Sequence, residues 1–190
     1  MATFSITGIP EADALLSDDP FALLAGMALD QQFPMERAFA GPATIRQRLG
    51  TLDPRTIAST DPEEFATLCA QTPAVHRFPG SMAGRLQELA AHVVEHHDGD
   101  ASRIWTEARD GKDLLTRVQA LPGFGKQKAT IFVALLGKQV GVDVPGWREA
   151  VGAYGEEGYR SVADVVDQES LERVRAYKKE QKAAAKAARA

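Results

Sequence analysis

An all-α fold is what this sequence predicts, and three observations predict it. Asp-Pro pairs stand at Asp19-Pro20, Asp53-Pro54 and Asp61-Pro62. Asp is a favoured N-cap, and Pro suits the first helical turn, where its missing N–H would have had no partner. Behind these pairs, apolar residues recur three and four apart, which is the spacing of one buried helical face. No alternating run is long enough to make a convincing strand, and no internal repeat appears.

The elements follow in chain order. Residues 1–18 are mixed, with Phe4 and Ile6 alternating as a short extended piece. Asp19-Pro20 opens a helix whose buried face is Phe21, Leu24, Ala25, Ala28 and Leu29. Asp61-Pro62-Glu63-Glu64 leads into Phe65, Leu68 and Cys69. Arg77-Phe78-Pro79-Gly80-Ser81 reads as a turn with a helix cap. Met82, Leu86, Leu89, Ala90, Val93 and Val94 mark the helix beyond it, ending near His96-His97-Asp98-Gly99. Leu114, Leu115 and Val118 give a short helix, and Ala129, Phe132, Val133 and Leu136 line the next, stopped by Gly137. Trp147 to Tyr154 predicts another short helix, and Ser161 caps one carrying Val162, Val165 and Val166. The closing Ala, Lys and Arg favour helix by propensity but show no apolar face beyond Tyr177. A basic tail over 178–190 is therefore expected to fray from a domain over 1–177.

With 190 residues, 44% of them hydrophobic, the chain can bury a core without disulfides or metal. Its one cysteine, Cys69, excludes an internal disulfide and a four-cysteine iron–sulfur or zinc site. The N-terminal MATFSITGIPEADALL has no basic region ahead of an apolar run, and no stretch reaches the length of a membrane span. A cytoplasmic monomer away from membranes is the expectation. The net charge of -4 argues against a polyanionic partner, but its distribution does not. Residues 1–70 hold ten acids against four arginines, whereas residues 112–148 hold six bases against Asp113 and Asp143. An acidic front and a basic back are compatible with one face meeting a polyanion, but from charge alone solvated surface helices are the better reading. His92 and His96 are spaced for a metal, yet no carboxylate completes the pattern; they read as surface histidines and no metal is expected.

The stretch LPGFGKQKA, Leu121 to Ala129, carries the chemistry. Gly123 and Gly125 permit a tight turn whose N–H groups point outward, and the helix that follows aims its positive end the same way. Such a turn holds phosphate without reading sequence, and Lys126 and Lys128 add charge. Fourteen residues past Ala129 stands an isolated carboxylate, Asp143, just ahead of Pro145-Gly146. Its bland alternative is a cap for the following helix.

The LPGFGKQKA turn, the apolar helix and Val142-Asp143 together resemble the helix–hairpin–helix DNA glycosylases, the group that includes endonuclease III and the 3-methyladenine glycosylases. Leu29-Asp30-Gln31-Gln32 is similar to the glutamine-bearing segment of that family's early helix, so the resemblance covers about residues 20–155. It implies a two-lobed helical fold with a cleft, and base excision repair on double-stranded DNA containing a base lesion. By the same resemblance Gly123, Phe124, Gly125, Lys126 and Lys128 bind DNA phosphate, and Gln32, with Gln31 beside it, fills the space of the flipped nucleotide. A glutamine amide can both donate to and accept from the orphaned base. Asp143 is then the catalytic carboxylate. Trp147, Phe33 and Tyr154 are aromatic candidates for a stacking pocket around the base, with a place in the core as their alternative. No cofactor is implied beyond a monovalent cation at the hairpin when DNA is bound.

Two departures narrow the reaction. Family members that also cut the backbone use a lysine nucleophile where this chain has Gln127. Lys126 and Lys128 flank it, each about a hundred degrees around the helix. A hydrolytic, monofunctional enzyme is expected, with a lyase using Lys126 or Lys128 as the lesser alternative. The cluster-binding cysteines of some members are also missing, leaving the basic Arg173–Arg189 stretch to contact phosphate. Two alternatives stand beside the enzyme: a non-catalytic DNA-binding module on the same scaffold, and an all-α interaction protein without a DNA role.

Overall fold

The computed structural model describes residues 3–188, which hold eleven α-helices and no strand. The first six are α1 (Pro10–Asp18), α2 (Pro20–Leu29), α3 (Met35–Leu49), α4 (Pro54–Ser59), α5 (Pro62–Ala70) and α6 (Pro79–His97). The rest are α7 (Arg103–Thr106), α8 (Gly111–Gln119), α9 (Lys126–Leu135), α10 (Trp147–Val151) and α11 (Gln168–Ala187). The three Asp-Pro starts hold: Asp19 and Asp61 each accept two backbone N–H groups of the helix they open, and Asp53 accepts one. Among the described residues no helix is long and apolar enough to cross a membrane.

Packing partners fall into two groups. In one, α2 lies against α3 and α1, and α4 and α5 lie against α6; in the other, α8, α9 and α10 pack together. One hydrophobic core runs through both, from Phe4 and Ile6 to Val174. Close approach of α2 and α3 depends on two glycines. A Cβ on Gly26 would meet Phe39 at 2.7 Å, and one on Gly41 would meet Leu29 at 2.5 Å.

Several expectations need correcting. Residues 1–18 contain α1, and the stretch before it has no strand: Phe4 and Ile6 are buried, with the chain bending over 6–8. The long helix α3 is not announced by the sequence pattern, because Gly41 and Pro42 interrupt its middle; its buried face is Met35, Ala38, Phe39 and Ile45. Gly137 does not stop the helix after the hairpin. The chain continues through a wider π-type turn, Leu136–Val140, and ends at Gly141 in the left-handed region, φ 81°. Trp147–Tyr154 divides into α10 and a 3₁₀ turn, and Ser161 caps a 3₁₀ turn, Val162–Asp164, rather than a longer helix. The tail expected to fray is helical as far as Ala187, with nothing buried beyond Val174; Arg189 and Ala190 lie outside the described residues.

Candidate active site

The hairpin joins α8 to α9. Leu121 and Phe124 are its anchors, 2% and 3% exposed, and Phe124 packs edge-on to Phe132 at 5.8 Å between centroids. With those two buried, the chain must turn sharply between them, and Gly123 does so at φ 79°. Phe124, expected to bind phosphate, has its side chain in the core, which leaves only its backbone facing the turn. Gly123 and Gly125 face open space, since a Cβ on either would meet no atom within 4 Å. Gly125 precedes α9 with no side chain capping the helix, so the first N–H groups of α9 are left to solvent or to an anion. Lys126 and Gln127 are exposed on that first turn.

Beside the hairpin lies a cleft of about 590 Å³. It brings Gln31, Gln32, Phe33, Gln127 and Lys128 together, with Tyr154 and Tyr177 completing an aromatic wall. The Gln127 amide donates to the Tyr154 hydroxyl at 3.2 Å. A larger depression, about 1030 Å³ around Gly152–Gly158, includes none of the predicted site residues.

The sequence model of the HhH-GPD superfamily base excision DNA repair protein family matches residues 25–190. The chain belongs to that superfamily. Comparison with curated proteins and with solved structures found no match.

The HhH-GPD match runs from within α2 through α11, so it contains the hairpin, the cleft and the loop bearing Asp143. That loop is pinned at three points: Val142 N–H to Leu136 O (3.1 Å), Gly111 N–H to Pro145 O (2.8 Å) and Trp147 N–H to Val144 O (3.3 Å). Asp143 itself is exposed. It does not cap α10, whose N-cap is Gly146 at φ 75° with no side-chain bond. Asp143 is not among the residues lining the cleft. Trp147, a candidate for the base pocket, is corrected to core: it is 3% exposed, and its indole lies flat against Gly137. Phe33 does line the cleft, partly buried, with the Arg37 guanidinium 4.8 Å above its ring.

Lys128 also departs from its expected place. Its Nζ is turned inward, donating to Ala28 O at 2.9 Å and lying 3.5 Å from Gln31 Oε1. Burial pulls this ammonium down to about 8, against the partial support of Asp30. Gln31 and Gln32 follow α2 in a loop instead of ending a helix. Asp30, the C-cap of α2, has no task that its sequence position reveals, yet it is the carboxylate inside the cleft. Burial pushes its carboxyl above the usual range, opposed by Lys178 at 3.9 Å and by Lys128. Phe78, a turn residue by sequence, is 49% exposed with Arg77 stacked on its ring. His76 places it beside the glutamine loop, and an exposed aromatic next to arginine is the signal that marks it. Among the described residues no cluster of His, Cys, Asp and Glu is arranged to hold a metal ion.

Proposed function

We propose that this HhH-GPD protein is a monofunctional DNA glycosylase, hydrolysing the N-glycosidic bond of a damaged or mismatched base flipped out of duplex DNA. The observation that carries the reading is the Gly123–Gly125 turn, bare of side chains and leading into an uncapped helix, with a cleft alongside. The turn grips backbone phosphate through N–H groups, the cleft receives the extruded base between Phe33 and Tyr154, and Gln32 enters the gap. As the C1′–N bond breaks, its electron pair leaves with the base and positive charge develops on the sugar. A carboxylate at Asp143 stabilises that cation and accepts a proton from the water whose oxygen adds to C1′. The proton then passes to the departing base. Gln127 offers no amine for covalent attack, which supports hydrolysis over backbone cleavage.

A second reading, a DNA-binding module without base release, is favoured by one observation: Asp143 stands outside the cleft lining. A release assay on a panel of lesion-bearing duplexes separates the two. Wild type should free a base from at least one duplex, and Asp143→Asn should lose about a hundredfold or more of that rate while still binding DNA. Undiminished release by Asp143→Asn would sink the mechanism, and binding without release from any duplex would favour the module. Borohydride should trap no covalent complex; a trapped one would assign lyase chemistry to Lys126 or Lys128.

A further inference from the structure

Gln31 receives hydrogen bonds from three separate elements. His76, in the loop before α6, is 2% exposed, and its Nδ1 accepts the Phe78 N–H at 3.1 Å. With that nitrogen accepting, the ring proton sits on Nε2, which therefore donates to Gln31 O at 2.9 Å. Arg85 of α6 donates to Gln31 Oε1 at 3.2 Å. Lys128 of α9 approaches the same oxygen while bonded to Ala28 O, a carbonyl in the last turn of α2. The next residue, Gln32, is exposed and sits at φ 52°. That is the left-handed region, which side chains other than glycine enter at a cost of about 1 kcal/mol or more and keep only where the surroundings over-determine it. No hydrogen bond of Gln32's own side chain holds it there among the described residues; the bonds are all on Gln31 and Ala28.

We propose that Gln31 is a positioning residue that acts through Gln32: clamped by His76, Arg85 and Lys128, it fixes the bend that aims Gln32 outward. The inference rests on the reading of Gln32 as the residue that enters DNA. Lys128 gives the clamp a second property. It stands on the first turn of the hairpin helix, so the element that grips phosphate and the loop that probes the duplex are joined by one side chain.

The test is a double-mutant cycle read as an affinity ratio: a duplex carrying a tetrahydrofuran abasic analogue against the same duplex undamaged. The ratio cancels general changes in DNA binding. Gln31→Met, which keeps length and removes the acceptor, should lower the ratio about tenfold in the wild-type background and leave it unchanged in a Gln32→Ala background. Gln31→Glu keeps an acceptor facing Arg85 and Lys128 and should retain the wild-type ratio. Lys128→Met attacks the clamp from the other side and should repeat the Gln31→Met pattern in protein shown by thermal melting to be folded. Equal losses in both backgrounds would mean Gln31 meets DNA directly, and no loss would mean the clamp aims nothing; either overturns the proposal. A wild type with no preference for the abasic analogue would instead overturn the reading of Gln32 on which it stands.

Discussion

Lys128 sits as a partly buried ammonium between two carbonyl-type acceptors, and its charge is the easiest property of the cleft to titrate. An ordinary lysine releases its proton near 10.5, whereas here burial lowers that to about 8. Below pH 8 folded and unfolded chains are both charged at this position, and the burial penalty is constant. Between about 8 and 10.5 the unfolded chain holds a proton that the folded chain has released, so stability from this residue rises with pH. Melting wild type and Lys128→Met in parallel isolates the effect, because other groups titrate in both. The difference in Tm should move in favour of wild type across that window; a difference flat in pH would refute the burial of the charge. At this scale the sequence is legible where chemistry is local. Gln127 and Asp143 are singled out as candidates by their distance from the turn, and the turn by its glycines. Asp30 and Trp147 escape such a reading because their surroundings come from far along the chain: Lys128 and Lys178 around one, Gly111 and Gly137 around the other.

Helix boundaries set by a residue and its immediate neighbours are readable, which is why all three Asp-Pro starts are found. Boundaries set by packing are not. Gly137 looks like a stop because glycine weakens a helix, yet it is there to admit an indole. A Cβ at that position would lie 2.6 Å from three ring atoms of Trp147, a buried ring with no room to swing aside. Gly137→Ala should therefore destabilise the fold by about 1–3 kcal/mol, the usual range for overpacking, where a helical glycine-to-alanine change would otherwise stabilise it. Urea denaturation reads the sign directly, and a stabilised variant would show that the ring yields. The wider turn over Leu136–Val140 is the backbone's side of the same fit. It delivers the chain to Gly141 and thence to the loop of Asp143, so the candidate carboxylate is placed by a glycine six residues away.

Across the whole molecule, α11 returns from the second group of helices to the first. Arg175 pairs with Glu36, Lys178 approaches Asp30, and Tyr177 and Gln181 line the cleft. The acidic front and basic back of the sequence thus meet along one seam, which the charge count could not reveal. Beyond that seam Lys179, Lys182 and Lys186 stay exposed on the helix. If they track DNA backbone, replacing all three with Gln should reduce the slope of log Kd against log salt by about 0.9 for each phosphate that these lysines neutralise. An unchanged slope would return them to the role of a solvated face. If the bare backbone of Gly123–Gly125 holds duplex phosphate as proposed, a further consequence follows, for search rather than for grip. A handhold made of amide groups is the same at every step of the duplex, so leaving one register for the next forfeits nothing that the neighbour does not restore. A protein held this way can scan, and what halts it is a base that parts readily from its stack.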